Sequence, residues 1–563
     1  TYGAESGVRV DTDRTITFDA RKASPVTFET PKPSEALRTQ IGLTLFDNAY
    51  TIRDGFQDGA NLGTKLYAIP SQLGGKLEHR LGWSTAAPAL AAKIVGPGAV
   101  PITPEYVGGW VGSARLDGTR LLRPVAVGTG RPQDYAGTSV RGQLALVRRS
   151  ADVSVRQQIT NAAAAGAAAV MIYNNDPATW GANIYQKTPT EIPAMTLPGA
   201  QGATLAELAR RGEVMVQFDA TAVSPYTYEV VRYQDGIAAD QHYRIKPEEL
   251  ATVDTSFYAS TPGTEGGYSR LVTSPAQSFS VSIFIRTTMP RAVTEYVTAG
   301  RPTWEVMAPA GVWESMPGFQ VTLPSVLQPD ERASRAWNKA IVRTAIPAGM
   351  PDGAVRLGEV GVVYNSGLLD EATGQWMTYR AAIDKELTAV YRDGQLLGTA
   401  KGVAVAFPMS PQRAEYRVVS DVSRDAPYWT TSTRVNTAWT FHSAPSDAAK
   451  APLPVLSVVY DLGVDLDNRV PARSSAELGL SFRYPKELAA PRITSVKLWA
   501  SYDDGATWRP VTVTTAGAAG ATGVLKSPAL DDTNGFVALR VQATDADGNT
   551  VEQTVTRAYQ LRG

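Results

Sequence analysis

Apolar and polar residues alternate through the first part of the chain. Val8-Arg-Val-Asp11, Thr15-Ile-Thr-Phe-Asp19 and Val26-Thr-Phe-Glu-Thr30 set apolar side chains at every second position. That period belongs to a strand with one buried face. Ile41 to Phe46 and Lys65 to Ile69 continue it, and the Ala-, Pro- and Gly-rich stretch from Ala86 to Gly109 reads as a connection. Between Gly137 and Asp219 the pattern changes. Leu144 to Val147 is uninterruptedly apolar, as in a strand covered on both faces. Ile159, Ala162, Ala163 and Gly166 recur at helical spacing, and Val170 to Tyr173 is a second strand, stopped by Asn174-Asn-Asp-Pro177. Ile192 to Leu197 follows, then a helix with Leu205, Leu208 and Ala209 on one stripe and Gly212 as its stop, then Val214 to Phe218. This order of strand, helix, strand, strand, helix, strand predicts a small α/β module from Leu121 to Thr221.

Beyond it the two-residue period returns. Tyr226 to Tyr233, Thr252 to Tyr258, Ser278 to Ile285, Thr294 to Val297, Gly318 to Leu323, Val360 to Tyr364, Ala389 to Tyr391 and Ala414 to Val419 read as strands. Asp393-Gly394 suits the type I′ turn of a hairpin. Residues 451–470 read as a linker. Residues 471–563, with strands at Leu478 to Phe482, Val496 to Tyr502, Val511 to Thr514, Val537 to Thr544 and Val551 to Tyr559, have the size of an immunoglobulin- or fibronectin-like sandwich. The predicted fold class is mainly β and multidomain, with sandwich or jelly-roll-like domains and one α/β module. The expected divisions are 1–95, 121–221, 226–460 and 471–563. Residues 1–95 are a candidate first half of the later sandwich, with the α/β module inserted between its halves.

Composition narrows the functional classes. A chain of 563 residues exceeds one core. Lys plus Arg and Asp plus Glu each number 54, a balance that implies no basic face for nucleic acid. With no cysteine, disulfides and thiolate metal sites are excluded. No run of eighteen apolar residues exists, so no transmembrane helix is expected. Freedom from cysteine, with abundant Ala, Gly, Arg and Val, fits a secreted, extracellular protein of an actinobacterium. The chain begins at Thr1 without Met, as a processed protein or a fragment does.

Candidate chemistry is sparse. Gly137-Thr-Ser139 resembles the start of a subtilisin nucleophile motif but continues Val-Arg-Gly-Gln and leads into a strand. A serine nucleophile needs a histidine base oriented by a carboxylate. The three histidines, His79, His242 and His442, stand in no such context and have no second His at ligand spacing. No catalytic, cofactor or metal residue is therefore assigned. Asp545, Asp547 and Asn549 are weak candidate calcium ligands, since they cluster oxygen acceptors without the full loop pattern, and they also read as a hairpin turn. Ser501-Tyr-Asp503-Asp-Gly505-Ala-Thr507-Trp508 matches the Asp-box, a structural hairpin turn. Trp304, Trp313, Trp376 and Trp429 are candidates either for binding platforms or for core.

Two resemblances gather these observations. The stretch 137–219 resembles the protease-associated domain, a small non-catalytic α/β lid module of secreted peptidases. It departs from that family at Arg149-Ser150, where Arg-Gly is common, and at Val155, where an aromatic is common. More widely, Asp13-Arg-Thr-Ile-Thr-Phe-Asp-Ala-Arg21, the α/β module, Ala414-Glu-Tyr-Arg417, Ser432-Thr-Arg-Val-Asn-Thr-Ala-Trp-Thr-Phe441, Leu453-Pro-Val-Leu456 and Leu539 to Tyr559 look like the C-terminal half of large actinobacterial subtilisin-like serine proteases. In that family the catalytic domain lies N-terminal to these blocks, so no triad residue transfers to this chain. The resemblance implies an accessory region whose partner is polypeptide substrate or a subtilisin-like catalytic domain. The alternatives are a stand-alone secreted β-rich binding or assembly protein and, from the Asp-box and aromatics, a glycan-binding protein.

Overall fold

The computed structural model describes residues 1–5, 8–9, 11–46, 51–59, 66–72, 77–96, 99–109, 112–186, 188–212, 214–273, 284–309, 319–365, 367–370, 375–378, 384–402 and 404–563. It is mainly β and divides into two compact units, the first comprising Thr1–Thr252, Val293–Gly300 and Gln328–Glu331 and the second the remainder.

In the first unit β1 (Glu35–Phe46) and β2 (Leu77–Ala86) pair antiparallel. The chain then enters the α/β module. This comprises β3 (Leu90–Val95), β4 (Glu105–Tyr106), β5 (Gly118–Leu122), β6 (Pro124–Ala126), β7 (Leu144–Arg148), α1 (Val155–Ala164), β8 (Ala169–Tyr173), β9 (Ala194–Leu197), α2 (Gly199–Arg211) and β10 (Met215–Ala220). It returns through β11 (Tyr226–Gln234), which pairs antiparallel with β2 and parallel with β12 (Arg291–Thr298). The module is thus inserted between neighbouring strands of one sheet, and Ala87 donates its N–H to Tyr226 at the point of entry.

Two sheets build the module. Strands β6, β7, β8 and β9 run parallel in that order, with β4 antiparallel at the far edge. Strands β5, β10 and β3 form the second, antiparallel sheet, which the short strand Pro101–Ile102 extends beyond β3. The uninterrupted apolar run of β7 follows from burial on both faces. Leu144 and Leu146 pack with Met171, Val216 and Phe218, whereas Ala145 and Val147 pack with Ile159, Val170 and Ile172. The antiparallel sheet extends upstream of the expected start at Leu121, because β3 pairs along its whole length with β10. Its Ala-rich sequence carries a weak strand signal, and the partner strand lies over a hundred residues downstream.

In the second unit β13 (Asp384–Arg392) turns at Asp393 and Gly394, whose φ values of 48° and 82° give the predicted primed turn, into Gln395–Ala400. The sheet continues through β14 (Ala414–Arg424) and β15 (Arg434–Ser443). Strands β16 (Ser457–Leu462), β17 (Ser475–Arg483), β18 (Ile493–Ser501), β19 (Gly520–Lys526), β20 (Phe536–Asp545) and β21 (Thr550–Arg562) form a two-sheet sandwich with Leu478, Leu480 and Phe482 opposite Leu498, Val541 and Val555. The expected break near residue 470 is corrected. Strand β15 pairs with β21 over Arg434–Thr440 and Thr550–Thr556, so one sheet runs from the earlier region into the terminal one. The core is correspondingly continuous from Ala340 to Leu561.

Two predicted strands find no ladder among the described residues. Val8, Arg9 and Asp11 lie in none, nor does Thr15–Asp19, where Ile16 and Phe18 are exposed. Alternation defines a face and says nothing of a partner. Within the expected strands at 278–285 and 318–323, residues 278–283 and 318 lie outside the described residues, as do Val10 and Lys65.

Candidate functional site

The carboxyl ends of β6 to β9 emerge together at one edge of the parallel sheet, the edge where open α/β sheets place their ligands. Strand β7 leaves the core at Arg148, and Arg148 and Arg149 are both exposed. The Arg149 backbone N–H still bonds Tyr173 O at 2.8 Å, so the residue is fixed by the last rung of the sheet. Its guanidinium lies 4.6 Å from the ring centre of Trp180 and donates to Asn174 Oδ1 at 3.1 Å. Asn174 is buried, and its amide nitrogen donates to Asp176 Oδ1 and Ala178 O. This network holds the connection from β8 to β9, which carries Trp180 and the exposed Tyr185. A connection of this length inside a compact module is often a functional one.

Two glycines let α2 close on this edge. A Cβ at Gly199 would stand 1.7 Å from Asp176 O, and one at Gly202 would stand 2.1 Å from Tyr173 Cβ. Beneath them, Gln158 of α1 is fully buried and donates from one amide nitrogen to Thr129 O and Arg148 O, each at 2.9 Å. It ties the loop after β6 to the end of β7. Ser154 caps α1 by accepting from Gln157 N, which places Arg156 in the first turn. Arg156 donates to Gln186 Oε1 at 2.7 Å and to Tyr185 O at 3.2 Å. Sequence reasoning singled out none of Arg156, Gln158, Trp180 or Tyr185. The available signal was seven arginines against two aspartates between Arg120 and Arg156 in a chain whose overall net charge is zero.

The other candidate residues lie elsewhere. Ser139 is exposed in a loop. His79 is buried with Tyr2 Oη 2.7 Å from Nε2, His242 lies 2.9 Å from Thr27 Oγ1, and His442 lies 3.8 Å from Glu415. Among the described residues no three His, Cys, Asp or Glu side chains gather as a metal site. Asp545 spends both carboxylate oxygens on its own hairpin and on Tyr484 beside it. Oδ1 accepts from Asp547 N and Asn549 N, and Oδ2 accepts from Asn549 Nδ2 and Tyr484 Oη. The geometry is that of the turn between β20 and β21. Trp304 and Trp429 are buried, and Trp313 and the Trp376 side chain lie outside the described residues.

The Asp-box sequence forms its turn. Asp503 accepts from Thr507 Oγ1, from Ser501 Oγ at 2.7 Å and from Thr507 N at 2.9 Å. Gly505 takes φ +95°, Trp508 packs against it, and Arg540 stacks on Trp508 at 4.1 Å. Hydrogen bonds, first from the Thr507 hydroxyl and then from Ser501, push the Asp503 pKa down to about 2. A depressed carboxyl pKa stabilises the turn above the ordinary range near 4, and that contribution is lost as pH falls through about 2. The Thr507 amide proton is therefore expected to titrate with a midpoint near pH 2 by NMR, and Asp503→Ala is expected to abolish the titration.

Residues 120–205 match the family model of the PA domain, so the α/β module is a PA domain, a module found in proteases as an accessory region. No curated protein matches the chain. Solved structures with partial likeness include an aminopeptidase from Aneurinibacillus sp. strain AM-1, at 23% identity and TM-score 0.20 over 28% of this chain and 35% of that one. A zinc aminopeptidase from Bacillus subtilis matches at 20% identity and TM-score 0.21 over 32% and 40%. A psychrophilic subtilisin-like protease from the Antarctic psychrotroph Pseudoalteromonas sp. AS-11 matches at 14% identity and TM-score 0.18 over 27% and 36%. The chain spans less than half the length of each. Among the described residues no helix is long and apolar enough to cross a membrane.

Proposed function

We propose that this chain is the non-catalytic accessory region of a secreted, subtilisin-like serine protease, and that its PA domain governs how polypeptide substrate reaches the catalytic domain. The PA-domain match over residues 120–205 carries this reading. The block order from Asp13 to Tyr559 supports the subtilisin-like assignment over other peptidase classes. The arrangement at the carboxyl edge of the parallel sheet suits recognition more than bond cleavage. Arginine, tryptophan and tyrosine side chains are enriched where proteins bind one another, whereas hydrolysis by a serine enzyme needs a nucleophile, base and orienting carboxylate in mutual contact. Proteolysis belongs to a separate catalytic domain of the same polypeptide.

The insertion point makes the test practicable. Ala86 and Thr227 are directly paired on adjacent strands, so residues 90–221 can be replaced by a short linker without unpairing the host sheet. In the full protease this excision is expected to raise KM for a folded or long polypeptide substrate several-fold and to leave kcat/KM for a tripeptide anilide within about twofold. Equal effects on both substrates would refute the access role.

A further inference from the structure

We propose that the carboxyl edge of the PA module binds acidic segments of an extended polypeptide, with Arg149 and Arg156 as the carboxylate-binding residues. The proposal rests on the accessory reading above and adds the chemical class of the bound chain.

The argument is one of unspent charge. Asp152 pairs with Arg131 at 2.9 Å, Asp134 accepts from Thr129 N and Arg131 N, and Asp176 accepts from Asn174 Nδ2 and Ala178 N. Each carboxylate at this edge is thus engaged by its own chain. Arg148, Arg149 and Arg156 have no carboxylate partner among the described residues, and the acceptors recorded for Arg149 and Arg156 are neutral oxygens. Their charges remain available to a carboxylate from outside.

Two further observations separate this edge from a merely solvated basic face. Arg149 is pre-organised, since Trp180 supports its plane and buried Asn174 fixes one nitrogen, leaving the rest of the planar fork to meet a carboxylate. Arg156 stands in the first turn of α1, which contains no acidic residue. A helix N-terminus favours anions, so a cation there works against the helix and is better explained by a partner than by stability. Exposed Tyr185, whose carbonyl accepts from Arg156, supplies apolar area beside the charges.

The test uses this chain alone and a fluorescein-labelled twelve-residue peptide of alternating Glu and Ser, with Gln-for-Glu and Lys-for-Glu versions. Fluorescence anisotropy should show binding of the Glu peptide only, weakening as salt is raised. Arg149→Ala and Arg156→Ala should each weaken it at least fivefold. Arg149→Lys, which retains charge without the fork, should weaken it about threefold and guards against misfolding of the alanine variant. Arg123→Ala with Arg141→Ala, at the amino ends of the same strands, should change it less than twofold. Equal binding of the Glu and Gln peptides, or an equal loss in the Arg123 and Arg141 variant, overturns the proposal. Such a result leaves the accessory reading to be judged by the excision of residues 90–221, which scores access of substrate whatever its charge.

Discussion

Gln158→Leu is expected to loosen the candidate binding edge by about 3 kcal/mol, although residue 158 reaches no solvent. The leucine fills a similar volume but removes the donor to Thr129 O and Arg148 O. A buried acceptor left unpaired costs roughly 1–3 kcal/mol, and two are left here. Amide exchange in β7 and in the loop after β6, followed by mass spectrometry, should accelerate about a hundredfold, since each 1.4 kcal/mol is tenfold. Gln158→Glu sharpens the prediction. Its carboxylate would face the same two carbonyls, so the charged form is disfavoured and the pKa is raised. The sign follows directly. The excess destabilisation is present above the raised pKa and is relieved as pH falls and the acid becomes a donor. The Glu variant should therefore be less stable than the Leu variant at pH 7, with the gap closing toward pH 5. A gap independent of pH would mean that the residue 158 side chain does not face the carbonyls.

What the sequence disclosed, and what it hid, divides by the range of the interaction concerned. The parallel strands were legible because double-sided burial forces an apolar run such as Leu144 to Val147. The Asp-box and the Asp393-Gly394 turn were legible because each is built from consecutive residues with particular backbone demands. Strand β3 was hidden, since Leu90–Val95 is recognisable only through β10. The junction of β15 with β21 was hidden for the same reason, as two strands over a hundred residues apart share a ladder that neither advertises. At the candidate site, Arg149 was visible as the matching half of a family Arg-Gly pair that departs at Ser150, but its contact with Trp180 depends on a connection whose path is set by Asn174. Gln158 read as one polar residue on a helix, and its two carbonyl partners come from separate loops.

Acidification from pH 6.5 to pH 4 is expected to cost the first unit about 3 kcal/mol through His79 alone. His79 sits on β2 with no exposed surface, and Tyr2 Oη lies 2.7 Å from its Nε2. Burial disfavours the imidazolium and pushes the pKa from its ordinary 6.5 down to about 4, against smaller opposing contributions from hydrogen bonds at Gly236 and Gln234. Between those two values the unfolded chain binds a proton that the folded chain refuses. Stability is therefore unaffected by His79 above pH 6.5, declines by about 1.4 kcal/mol per pH unit below it, and stops declining once the folded protein also takes up the proton near pH 4. Urea unfolding of the first unit, read between pH 7 and pH 4.5, should show this slope, and His79→Gln should flatten it whatever its effect on stability at pH 7. The imidazole resonances supply an independent check on the unaltered protein. They should keep their neutral shifts to pH 5 and move only near pH 4. A midpoint near 6.5 would mean that the β2 strand opens to water before the unit unfolds, and the expected pH slope would then vanish with it.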